Sequence, residues 1–65
     1  MKIITTLNKT TAKAIETRIM NGENRFYIGK FYYEVDRASG YIRRREQEAG
    51  RTPASDWETV ATITK

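Results

Sequence analysis

The residues best equipped for chemistry lie in and around YIRRREQEAG, where Arg43, Arg44 and Arg45 follow Tyr41, with Arg37 and Arg51 flanking the segment and Tyr32 nearby. Guanidinium groups neutralise phosphates and grip carboxylates, and tyrosine rings offer stacking surfaces for bases. The chemistry on offer is recognition of an acidic partner. Catalysis has little to draw on: the chain has neither histidine nor cysteine, so the usual neutral-pH base and thiolate nucleophile are missing. Its four glycines are scattered and form no phosphate cradle. No enzyme and no cofactor are expected. A metal would need a hard-cation site, and Glu46 and Glu48 read more simply as solvated charges balancing the arginines.

The net charge of +4 tilts the partner toward nucleic acid first, an acidic protein surface second and anionic lipid third. Its distribution is uneven. Residues 37–51 hold Arg37, Arg43, Arg44, Arg45 and Arg51 against Glu46 and Glu48. Absence of cysteine leans toward a reducing, cytoplasmic setting. The opening MKIITTLNKTTAK is too short and too interrupted an apolar run for a signal peptide or membrane span. Asn8-Lys9-Thr10 matches a glycosylation sequon, read here as a chance match.

Sixty-five residues allow a single compact domain, 1–65, with a mobile polar loop at about 47–56. KIITTL, residues 2–7, reads as a first strand with Ile3, Thr5 and Leu7 on one face. Residues 9–21 support a helix capped by Thr10 or Thr11, carrying Ala12, Ile15 and Ile19 on one side and stopped by Asn21-Gly22. The alternative makes them a strand and the fold an all-β small sheet or barrel. RFYIGKFYYEV reads as one strand kinked at Gly29, YIRRRE as its return, and DWETVATI as a last strand. The resulting class is α+β: a β-α-β-β-β domain in which a three-stranded antiparallel meander and an N-terminal strand carry one helix on one face. Phe26, Ile28, Phe31, Tyr33, Val35, Ile42 and Trp57 are the expected core.

Neighbouring strand residues face opposite ways, so the three arginines cannot share a surface. Pairing Val35 with Tyr41 or Arg43 would put Arg43 and Arg45 on the apolar face of Phe31, Tyr33 and Val35, at several kcal/mol for each unpaired guanidinium. A four-residue loop, Arg37 to Gly40, avoids this. It pairs Val35 with Ile42, Glu34 with Arg43, Tyr33 with Arg44 and Tyr32 with Arg45. Arg43 and Arg45 then join Tyr32, Glu34 and Tyr41 outside, and Arg44 lies beside Tyr33 inside, its stem covering apolar surface.

The expected function is a small non-enzymatic binding module that contacts nucleic acid, DNA or RNA, through Tyr32, Tyr41, Arg37, Arg43, Arg45 and Arg51. The alternative is a small inhibitor or adaptor of phage or mobile-element type, docking the same patch on an acidic host protein. Uncovered sheet edges leave room for a homodimer. GKFYYEVDRASGYIRR resembles the aromatic, Asp-to-Gly-turn hairpins of the small three-stranded DNA-binding domains at the N-termini of phage-type tyrosine recombinases. That resemblance implies DNA contact. It covers only these residues, and the chain has a final strand where those domains place a helix, so no family follows from it.

Overall fold

The computed structural model describes residues 1–64 and is α+β, with one helix and a five-stranded antiparallel sheet. In chain order the elements are β1 (Lys2–Thr5), α1 (Lys9–Met20), β2 (Arg25–Ile28), β3 (Phe31–Asp36), β4 (Tyr41–Glu46) and β5 (Glu58–Thr64). The sheet order is β1-β5-β4-β3-β2, so the two strands flanking the helix form opposite edges. The helix crosses one face between them. Its Ile15 and Ile19 enter a core with Phe26, Tyr33, Val35, Ile42 and Ala61.

Residues 9–20 are helical, which settles the choice left open by their composition. The cap is Asn8 and not Thr10 or Thr11: the Thr11 N–H donates to Asn8 Oδ1 at 2.8 Å. A side-chain acceptor just before the first turn satisfies one of the free amides there. At the other end the Gly22 N–H donates to the Ile19 carbonyl and the Glu23 N–H to the Arg18 carbonyl, the paired bonds of a Schellman stop.

The segment 25–35 is not one kinked strand. Ile28 pairs with Phe31, making Gly29-Lys30 a two-residue hairpin turn between β2 and β3. Gly29 has φ 60°, and positive φ at the first central residue is what a type II′ turn needs. The sheet therefore has five strands where four are expected from the sequence. Tyr27 faces Tyr32 across the added pair, and Phe26 faces Tyr33.

The β3–β4 hairpin has the register required by the four-residue loop, running from Asp36↔Tyr41 through Val35↔Ile42 and Tyr32↔Arg45 to Phe31↔Glu46. Its turn is heavily constrained. Asp36 Oδ1 accepts from the Ala38 and Ser39 N–H groups at 3.0 and 3.3 Å, and the Gly40 N–H donates to the Asp36 carbonyl at 2.8 Å. The Gly40 carbonyl in turn accepts from the Ile63 N–H at 2.7 Å, tying the turn to β5.

One irregularity matters for the site. β4 and β5 pair as Ile42↔Ala61 and then Arg43↔Thr59, so Val60 is an extra residue in β5. Such a bulge reverses the facing of everything beyond it. Without it, strict alternation from buried Ala61 would point Thr59 and Trp57 at the core. With it, Glu58 faces inward beside Arg44, and Trp57 falls on the outer side.

Two predictions follow from this turn. Gly40 has φ 81°, and a Cβ added there would lie 2.9 Å from the Ile63 carbonyl oxygen. Gly40→Ala is therefore expected to cost more than about 2 kcal/mol, left-handed strain plus a backbone clash, read as a fall in Tm of roughly 10 °C. The carboxyl of Asp36 is held below its usual 3.8, chiefly by the Ser39 backbone N–H, then by the Ser39 hydroxyl and the Ala38 N–H, with Arg43 adding a smaller attraction. A depressed folded pKa stabilises above the unfolded value and is lost as pH falls through the folded one. The urea-denaturation advantage of wild type over Asp36→Asn should be full at neutral pH, shrink as pH drops below 3.8 and vanish once Asp36 is protonated.

Candidate nucleic-acid interface

The sheet face opposite the helix is uncovered by any other element among the described residues, and the strand registers arrange it in rows. Tyr27 on β2 faces Tyr32 on β3, which faces Arg45 on β4. Arg44 faces Glu58, so Trp57 stands opposite Arg45. At about 4.8 Å between strands this row runs roughly 14 Å across the sheet. The next row holds Arg25, Glu34, Arg43 and Thr59, and the one beyond holds Asp36, Tyr41, Thr62 and Ile4.

Within the first row the rings touch. The Tyr27 and Tyr32 centroids are 4.7 Å apart, and those of Tyr32 and Trp57 are 5.7 Å apart. The Arg45 guanidinium lies 4.5 Å from the Trp57 centroid and 5.8 Å from that of Tyr32, and its Nε donates to Gln47 Oε1 at 2.7 Å. Each aromatic pair of this kind contributes roughly 0.5–1.5 kcal/mol beyond burial, and a cation over indole adds about 0.5–1 at an exposed site. These groups are consequently held in place before anything binds. Tyr27 and Trp57 each remain 37% exposed, and Tyr41 44%.

Placement of Trp57 here corrects its expected core role. The cause is the Val60 bulge, which no residue type in ETVAT announces. Tyr27, which is not among the binding residues expected from the sequence, also belongs to this site. Its signal was present: Gly29-Lys30 sits between alternating Phe26/Ile28 and Phe31/Tyr33, the pattern of a two-residue hairpin.

The seven arginines divide sharply by partner. Arg18, Arg25, Arg44 and Arg51 each lie within 4 Å of a carboxylate, on Glu23, Glu34, Glu58 and Glu48 respectively. Arg37, expected in the binding patch, is spent elsewhere. Its Nη2 donates to the Ile19 and Glu23 carbonyls at 3.1 and 3.4 Å and its Nε to Asn24, so it caps the C-terminal end of α1 where a cation is favoured. Arg51, also expected there, belongs to the 47–57 loop, which is pinned to the sheet end by Ala54 N–H to Glu46 carbonyl at 2.7 Å and Glu46 N–H to Ser55 Oγ at 2.8 Å. Arg37, Arg43 and Arg45 make no salt bridge among the described residues, and of these three it is Arg43 and Arg45 that stand on the open face. Glu46 and Glu48 pair separately with Lys30 and Arg51. No cluster of metal-ligating residues occurs among the described residues.

Arg44 behaves differently from both neighbours. Its guanidinium lies 3.9 Å from the Phe31 centroid, Nη1 donates to the Tyr33 hydroxyl at 3.2 Å, and Nε approaches Glu58 Oε1 at 3.4 Å. With its side chain only 18% exposed, it lies against the ring of the partly buried Phe31 and the hydroxyl of the core residue Tyr33.

Comparison with protein-family models, with curated proteins and with solved structures finds no match. No helix of the described residues is long and apolar enough to cross a membrane.

The contrast between the arginines is measurable by urea denaturation. Arg44→Ala should lose about 1–3 kcal/mol through lost stem packing and the lost cation–aromatic contact, and Arg44→Met should recover part of it. Arg43→Ala, at an exposed position, should stay within about 0.5 kcal/mol of wild type.

Proposed function

We propose that this protein is a nucleic-acid-binding module whose contact surface is the open face of the sheet. The observation that carries the reading is the coincidence, on one face, of the Tyr27–Tyr32–Trp57 ring row with Arg43 and Arg45, neither of which has a carboxylate partner or a backbone carbonyl to cap. Ring surfaces suit bases, and unpaired guanidinium groups suit phosphates. The binding residues are Tyr27, Tyr32, Arg43, Arg45 and Trp57, with Tyr41 on the next row but one. Arg37 and Arg51 fall outside the surface.

The competing reading, docking of the basic patch on an acidic host protein, draws support from the same charges but leaves the ring row without a specific use. A protein partner also gains little from Arg43 and Arg45 alone, because exposed ion pairs contribute about 0–1 kcal/mol each.

Two phosphate contacts set a quantitative expectation. Fluorescence anisotropy with labelled oligonucleotides should give a log–log dependence of affinity on salt with a slope of about −1.4 to −1.8. Replacing Arg43 and Arg45 together with Gln should flatten that slope toward zero and weaken binding while the protein stays folded, its Tm falling by no more than about 8 °C through loss of the Arg45 contact with Trp57. Absence of binding to duplex DNA, single-stranded DNA and RNA at low salt would overturn the proposal and favour the acidic protein surface.

A further inference from the structure

From the geometry of this face we infer that its ligand is a single strand with unpaired bases, not a duplex, and that Trp57 is the principal stacking platform. The inference rests on the nucleic-acid reading above and narrows it.

Width excludes the usual route into a duplex. Five strands at about 4.8 Å span roughly 19 Å between edge-strand axes, and the major groove of B-DNA is about 12 Å wide, admitting one helix or a two-stranded ribbon. Neither hairpin projects as a free ribbon. The β3–β4 turn is bonded to β5 through Gly40 and Ile63, and the β2–β3 turn is bonded through the Lys30 carbonyl to the Gln47 N–H at 2.9 Å. The helix presents Ile15 and Ile19 to the core and lies on the other side of the sheet.

Charge points the same way. Duplex binders hold affinity through many phosphates, of the order of six to ten, whereas this face offers Arg43 and Arg45 without carboxylate partners. So small a phosphate contribution leaves stacking as the main source of affinity, and stacking requires bases that are not already stacked inside a duplex.

The rings are arranged for that task. Tyr32 lies between Tyr27 and Trp57, so the accessible ring surface is at the two ends of the row. Arg45 covers part of Trp57 and is itself fixed by Gln47, which leaves the indole ordered, with 37% of the residue open. A strand crossing the face along this row would place about two or three bases against it, with Arg43 and Arg45 near its phosphates.

The chain has one tryptophan, so the platform reports on itself. The experiment titrates wild-type protein at low salt with a dT decamer, an rU decamer and a mixed-sequence duplex, following both Trp57 emission and the anisotropy of labelled ligands. Expected are quenching of Trp57 by the single strands, affinity for them at least tenfold above that for the duplex, and a loss of about tenfold or more in Trp57→Leu. Comparison of the dT and rU arms shows whether the sugar 2′-hydroxyl is favoured. Binding of the duplex as tightly as the decamers, with Trp57 emission unchanged, overturns this inference and leaves the nucleic-acid reading standing. Failure of all three ligands to bind overturns both. Should Trp57→Leu not fold, wild-type quenching and Trp57→Phe, which keeps a smaller ring, decide the matter.

Discussion

The register of the β3–β4 hairpin is the constraint from which the other features descend. Asp36 and Tyr41 enclose four residues, and that loop length decides which side chains of FYYEVD and YIRRRE lie together. A slip by one residue on β4 would carry Arg43 and Arg45 under the helix among Tyr33 and Val35, and Ile42 out to solvent. The cost of two buried, unpaired guanidinium groups would consume most of the stability available to a domain of this size, about 5 kcal/mol. Local chemistry reinforces the same answer. The Asp36 carboxylate organises the turn, and Gly40 can follow it because only a residue without a Cβ fits against the Ile63 backbone.

With that register in place, charge sorts by function. Arg44 and Arg37 are structural cations, one lying against Phe31 and Tyr33, the other satisfying carbonyls at the end of α1. Arg43 and Arg45 are left with neither task. They share their face with rings that pack on one another more than on the core, an arrangement that keeps aromatic surface in water. Soluble domains carry such surface sparingly, and its union with uncompensated positive charge is the basis for reading the face as an interface.

Much of this was legible beforehand because the deciding forces are local or pairwise. Periodicity and the Asn21-Gly22 stop marked α1, and the penalty for buried arginine selected the hairpin register and the separate fate of Arg44. Two features escaped. Gly29 reads from the sequence as a kink because a glycine inside a β-branched and aromatic run is compatible with either a bulge or a tight turn. The difference is whether Phe26 and Tyr33 stack across a hairpin, which they do at 5.4 Å. The facing of Trp57 escaped for another reason: a large apolar side chain is ordinarily buried, and the bulge that turns it outward leaves no compositional mark at Val60.

The amino-acid sequence by itself determined the β3–β4 pairing and the division of the three consecutive arginines, which follow from alternation and the cost of burying charge, and it favoured the helix and the α+β class over a strand that only the structure rules out. Tertiary structure alone decided that Arg37 serves the helix end, that Tyr27 joins Tyr32, and that Trp57 completes their row beneath Arg45. Those outcomes depend on contacts between residues far apart in the chain and on the parity of β5. One extra residue at Val60 inverts that parity, and only the paired strand shows that it is there.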